Sequence, residues 1–88
     1  MSDTFTLERF AQHPFYQEVN RRLVALTGLH RGQSVVDLGA GTGAVTRLLV
    51  EQVGCPEAEV IAIEPSETAL EAARRNLENI HDAMVRFV

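Results

Sequence analysis

The sequence predicts an α/β fold built on a parallel sheet, and three observations carry that prediction. Short apolar runs suited to buried strands recur at residues 34–38, 60–63 and 84–88. Segments of helical periodicity separate them. A glycine-rich loop joins the first run directly to the helix behind it. Strands alternating with amphipathic helices imply parallel pairing through right-handed crossovers.

The elements follow in order. Residues 5–11 suit a short helix that ends at His13-Pro14, because the residue before a proline disfavours helix. Residues 15–27 place Phe15, Val19, Leu23 and Leu26 on one helical stripe, the face expected to pack, with Gly28 as the C-cap. Arg31-Gly32-Gln33 makes a turn into the strand at 34–38. After the glycine loop, Val45, Leu48, Leu49 and Val53 form the apolar face of a helix closed by Gly54. The strand at 60–63 ends at Glu64-Pro65. Ser66 then suits an N-cap, and Glu67 suits the positive end of a helix dipole. That helix carries Ala69, Leu70, Ala73, Leu77 and Ile80 on one face and leads to the strand at 84–88. The chain thus divides into a helical segment, residues 1–33, and a β-α-β-α-β unit, residues 34–88.

Composition narrows the function classes. At 88 residues the chain is one small domain at most, with a modest core. Twelve acidic residues against eight arginines give a net charge of −4, which argues against a nucleic-acid surface. The single cysteine, Cys55, excludes an intramolecular disulfide and has no fixed base or ligand partner nearby in sequence. His13, His30 and His81 show no metal-ligand or catalytic spacing, so no metal is expected, and Arg74-Arg75 reads as part of a solvated face. No apolar run is long enough to span a membrane, and the N-terminal residues do not form a secretory signal; a cytoplasmic protein is expected.

The most informative stretch is residues 35–46, VVDLGAGTGAVT. Glycines between a strand and a helix permit positive φ and let the backbone approach a ligand closely. The free N–H groups at the following helix start face such a ligand. Glu64 stands at the end of the next strand, at a spacing that suits an acid binding ribose hydroxyls. Gly39, Gly41 and Ala44 also satisfy a dinucleotide pattern. Three details favour S-adenosylmethionine instead: Asp37 two residues before the first glycine, the alternation of Gly39, Gly41 and Gly43, and the helices ahead of the first strand.

VVDLGAGTGAVT resembles motif I of the class I S-adenosylmethionine-dependent methyltransferases, and VIAIEPSETAL resembles their following acidic-strand motif. The resemblance implies a Rossmann-like sheet, with this chain supplying the N-terminal helices and first three strands of a seven-stranded methyltransferase fold of order 3-2-1-4-5-7-6. By that resemblance, Gly39, Ala40, Gly41 and Thr42 line the methionine and ribose of the cofactor, and Gly43 allows close packing at the helix start. Asp37 anchors the loop near the cofactor's amino group, and Glu64 takes the ribose. Pro65 lies against the adenine or simply makes the turn. Tyr16 sits where relatives place an aromatic over the cofactor, although a surface or partly buried tyrosine is the favoured role.

The expected function is the S-adenosylmethionine-binding portion of a methyltransferase acting on a small-molecule acceptor. Catalytic residues are not assignable, because the family draws them from later strands. Without a fourth strand, residues 34–38 form an exposed apolar edge, so self-association or a completing chain is expected. Two alternatives remain beside this reading: a truncated, non-catalytic interaction module, and an NAD(P)-binding oxidoreductase domain.

Overall fold

A computed structural model describes residues 13–88. The helix expected at residues 5–11 lies outside the described residues. Helix α1 runs Pro14–Leu26. Pro14 occupies the first turn, where its missing N–H costs nothing and its fixed φ suits a helix. The Phe15 N–H donates to Nδ1 of His13 at 3.2 Å, so His13 is the N-cap and has a structural task that its spacing did not announce. Thr27 closes the helix and Gly28 follows at φ 69°.

The packed face of α1 differs from the one expected. Val24 is the buried residue, whereas Phe15, Leu23 and Leu26 of the apolar stripe are exposed, Leu26 at 83%. The apolar residues of this helix spread over more than one face, and docking against the next helix selects Val24 rather than its neighbour Leu23.

The β-α-β-α-β order follows: β1 Val35–Leu38, α2 Ala44–Val53, β2 Glu59–Ile63, α3 Glu67–Leu77 and β3 Met84–Phe87. The sheet order is β1-β2-β3 with both pairs parallel. Right-handed crossovers between sequential neighbours put α2 and α3 on the same face. On that face Val35, Val60 and Val85 stand in register and meet the core formed by Val24, Leu49, Val50 and Val53. Val50, Val53 and Val60 are fully buried, each worth about 1.5–3 kcal/mol of transfer free energy. The other face carries Val36, Leu38 and Met84, all exposed.

Helix ends are set locally. Gly54 caps α2 in the left-handed region, as its position predicts. Ser66 caps α3, its Oγ accepting the Ala69 N–H at 3.2 Å. α3 ends at Leu77, so Ile80 packs on the core from beyond the helix rather than on its face. No helix among the described residues is long and apolar enough to cross a membrane.

Candidate functional site

The glycine loop, residues 39–43, leaves the C-terminal end of β1 and lies across the end of β2. Three successive amides fix it there. The N–H groups of Gly39 and Ala40 both donate to the Ile63 carbonyl, at 2.8 and 3.0 Å. The Gly41 N–H donates to Oε1 of Glu64 at 2.8 Å. The other carboxylate oxygen, Oε2, accepts the Ser66 N–H, also at 2.8 Å. Glu64 therefore ties the loop to the β2–α3 turn, with exposed Pro65 inside that turn. The sequence placed Glu64 at the strand end but did not show this double tether.

The two sides of the loop differ. A Cβ built on Gly39 or Gly41 meets nothing within 4 Å, so the front of the loop faces open space. At Gly43, φ 94°, a Cβ would stand 2.9 Å from Leu77 Cδ1 and 3.4 Å from the Ala73 Cβ. The back of the loop thus packs against the last turn of α3. Asn76 reinforces this contact: its side-chain amide donates to the Thr42 carbonyl at 2.9 Å, and Arg47 donates to the Asn76 carbonyl at 2.6 Å. Asn76 was not legible as a site-supporting residue, since a polar residue after Arg74-Arg75 reads as solvated. A cleft of about 430 Å³ runs beside this contact, bounded by Gln17, Asn20 and Arg21 of α1 and by Arg47 of α2.

Asp37 sits near the C-terminal end of β1, partly buried, and its Oδ2 accepts the Thr46 Oγ–H at 2.6 Å. Thr46 is fully buried. Tyr16 lies at the start of α1, edge-on to His13 and Phe15, and is not among the residues lining the cleft beside the loop. Ala40 and Thr42 are buried, so the loop offers a ligand mainly the backbone of Gly39 and Gly41.

The donor set matches the chemistry of S-adenosylmethionine. Each Glu64 oxygen retains a lone pair for a ribose hydroxyl. No side chain caps α2, which leaves its first amides to meet a carboxylate. Asp37 adds a partly buried carboxyl group beside the loop.

The sequence profile of the family described as "Methyltransferase domain" matches residues 35–88, more than half of the chain. The chain belongs to this family. SAM-dependent methyltransferases stand among the solved structures that share its fold. Ribosomal RNA small subunit methyltransferase A of Burkholderia cenocepacia (strain HI2424) is 38% identical over 68% of this chain. Demethylmenaquinone methyltransferase of Symbiobacterium thermophilum is 36% identical over 70% of it. A SAM-dependent methyltransferase from Aquifex aeolicus superposes over 100% of the chain with a TM-score of 0.79 at 22% identity, a likeness of fold. The chain spans 22% and 24% of the two curated relatives and 47% of the Aquifex chain. These matches support neither the interaction-module nor the NAD(P) alternative.

Within this site, burial pushes the Asp37 carboxyl above its ordinary range, and the Thr46 hydrogen bond partly offsets that. The folded state then holds the Asp37 proton more tightly than the unfolded chain does. Its contribution to stability is fullest at low pH and is lost as pH rises through the folded pKa. Asp37→Asn, which removes that cost, is expected to melt at or above the wild-type temperature at pH 7 while binding S-adenosylhomocysteine more weakly. Thermal melts at pH 4 and pH 7 beside a binding titration check this. A lower melting temperature at pH 7 would assign Asp37 to stability instead.

Proposed function

We propose that this chain forms the cofactor-binding half of an S-adenosylmethionine-dependent methyltransferase whose acceptor is a small molecule. The observation that carries the reading is the tether from Glu64 to Gly41, which sets a hydroxyl-accepting carboxylate beside a backbone shelf with open space in front. When bound, the cofactor supplies a methyl group on a sulfonium, ready for direct displacement by a nucleophile of the acceptor. The residues of this chain do the holding. Glu64 accepts the ribose hydroxyls through its remaining lone pairs. Gly39 and Gly41 let the ligand lie against the backbone. The open amides of α2 receive the carboxylate, and Asp37 faces the positive end. This fixes the direction from which the acceptor must approach, which is where orientation lowers the barrier.

The acidic balance, a net charge of −4, favours a small-molecule acceptor over a phosphate backbone. The relatives include one protein named for ribosomal RNA and one named for demethylmenaquinone, so both acceptor classes occur among them. Calorimetric titration of the 88-residue chain with S-adenosylhomocysteine, with NAD as control, tests the cofactor reading. Saturable binding of the first alone is the expected result. Preferential binding of NAD would overturn it.

A further inference from the structure

Thr46 occupies a place where helix α2 is otherwise apolar. Leu49, Val50 and Val53, on the following turns, are all buried, and so is Thr46, with no exposed surface. A hydroxyl buried there costs free energy unless it is hydrogen-bonded. A threonine inside a helix commonly turns its hydroxyl back to the carbonyl four residues earlier. Thr46 stands in the first turn, so the residue four earlier, Thr42, lies outside the helix, and its carbonyl accepts the Asn76 amide. The Thr46 hydroxyl points across to β1 and donates to Oδ2 of Asp37. Among the described residues no protein donor reaches the other oxygen, Oδ1. One oxygen of the carboxylate is thus held from behind by a residue with a single fixed role, and the second is left for a ligand.

We infer that Thr46 is a positioning residue for cofactor binding: it acts through Asp37, fixing the carboxylate so that Oδ1 is presented to the positively charged end of the cofactor. The inference rests on the proposed function above. Three features separate it from a merely structural role for Thr46. A valine would fill the same volume in an apolar environment, so packing alone does not call for the hydroxyl. The partner is an acid half-withdrawn from water beside the glycine loop, not a carbonyl of the helix itself. The bond also joins β1 to α2 across the loop that the cofactor would face, so it fixes the acid relative to the shelf.

The test is a double-mutant cycle on the full chain, with S-adenosylhomocysteine as the ligand and calorimetry as the readout. Thr46→Val is expected to weaken binding about tenfold, the scale of a hydrogen bond to a charged group. Thr46→Ser, which keeps the donor, is expected to stay within about threefold of wild type. In an Asp37→Asn background, Thr46→Val is expected to cost little more, because the group it positions has lost its charge. Equal losses for Thr46→Val in both backgrounds, or a serine variant as weak as the valine variant, would overturn the assignment. A separate measurement keeps it distinct from the function it rests on. The Asp37 carboxyl is titrated by NMR without ligand in wild type and Thr46→Val. Loss of the donor is expected to raise its pKa further. If the wild type fails to bind S-adenosylhomocysteine, the proposed function falls. An unchanged titration removes Thr46 from the site whatever the ligand does.

Discussion

Glu64→Ala is expected to weaken S-adenosylhomocysteine binding by about 100-fold or more, the largest effect of any single change at the site. Two contributions add. The ribose loses an acceptor for its two hydroxyls, each bond to a charged group being worth about 1.5–3 kcal/mol. The loop also loses its tie to the β2–α3 turn, because the Gly41 N–H and the Ser66 N–H both donate to this carboxylate. Leaving the half-buried Gly41 amide without a partner costs about 1–3 kcal/mol of stability in addition. Glu64→Gln separates the terms. Its carbonyl oxygen can accept from one amide, but its NH2 group cannot accept from the other. That variant should lose about tenfold in affinity with a smaller drop in melting temperature. Glu64→Asp is one methylene shorter and cannot span both backbone donors, so it is expected to resemble Gln rather than wild type. Calorimetric titration and thermal melts of the three variants check the series. An alanine variant that binds within about twofold of wild type would remove Glu64 from the site.

The second large effect concerns stability rather than affinity. Gly43→Ala should lower stability by about 2–5 kcal/mol. The new Cβ would stand 2.9 Å from Leu77 Cδ1, and φ 94° lies in the region that a side chain disfavours. Overpacking of this kind costs about 1–3 kcal/mol, and the left-handed backbone a further ~1–2 kcal/mol. For a chain of this size each kcal/mol moves the midpoint by roughly 4–8 °C, so the melt should shift by tens of degrees at the upper end. Gly41→Ala is the control. Its φ is also positive, at 58°, but nothing lies within 4 Å of the new methyl. It should cost only the backbone term, about 1–2 kcal/mol of stability, and should impair ligand binding, since the methyl enters the space in front of the loop. If Gly43→Ala and Gly41→Ala melt together, the contact with Leu77 is not what requires glycine at position 43.

Much of this was legible in the sequence, and the parts that were not share a reason. The strands, their parallel order and the caps at Gly54 and Ser66 follow from signals that lie close together along the chain. The same holds for the glycine loop, where alternation of Gly39, Gly41 and Gly43 has few uses other than a tight turn or a ligand. The place of Glu64 is legible because a strand end is a fixed position in such a fold. Thr46, Asn76 and His13 were missed as participants. Each is a polar residue whose partner is set by docking or by a cap: Thr46 meets Asp37 across the strand–helix turn, and Asn76 meets Thr42 from another helix. A polar residue flanked by buried apolar ones one turn away was the available signal for Thr46. Helix α1 shows the opposite failure. Its stripe of Phe15, Val19, Leu23 and Leu26 reads as the packed face, yet the structure buries Val24 and exposes all of the stripe but Val19. Periodicity finds a helix without saying which of two apolar faces its neighbour will choose.

The tether between Gly41 and Glu64 has a bearing on how the site comes into being. It closes a stretch of only 23 residues, all within one β-α-β unit. The entropy lost in closing a loop grows slowly with its length, at about 0.6 kcal/mol for each doubling, and short-range pairings form first when a chain folds. From Asp37 to Ser66 the residues that would hold the cofactor belong to a single crossover. The docking of that one helix onto two neighbouring strands is enough to bring them together, before any strand further along the chain has found its place in the sheet.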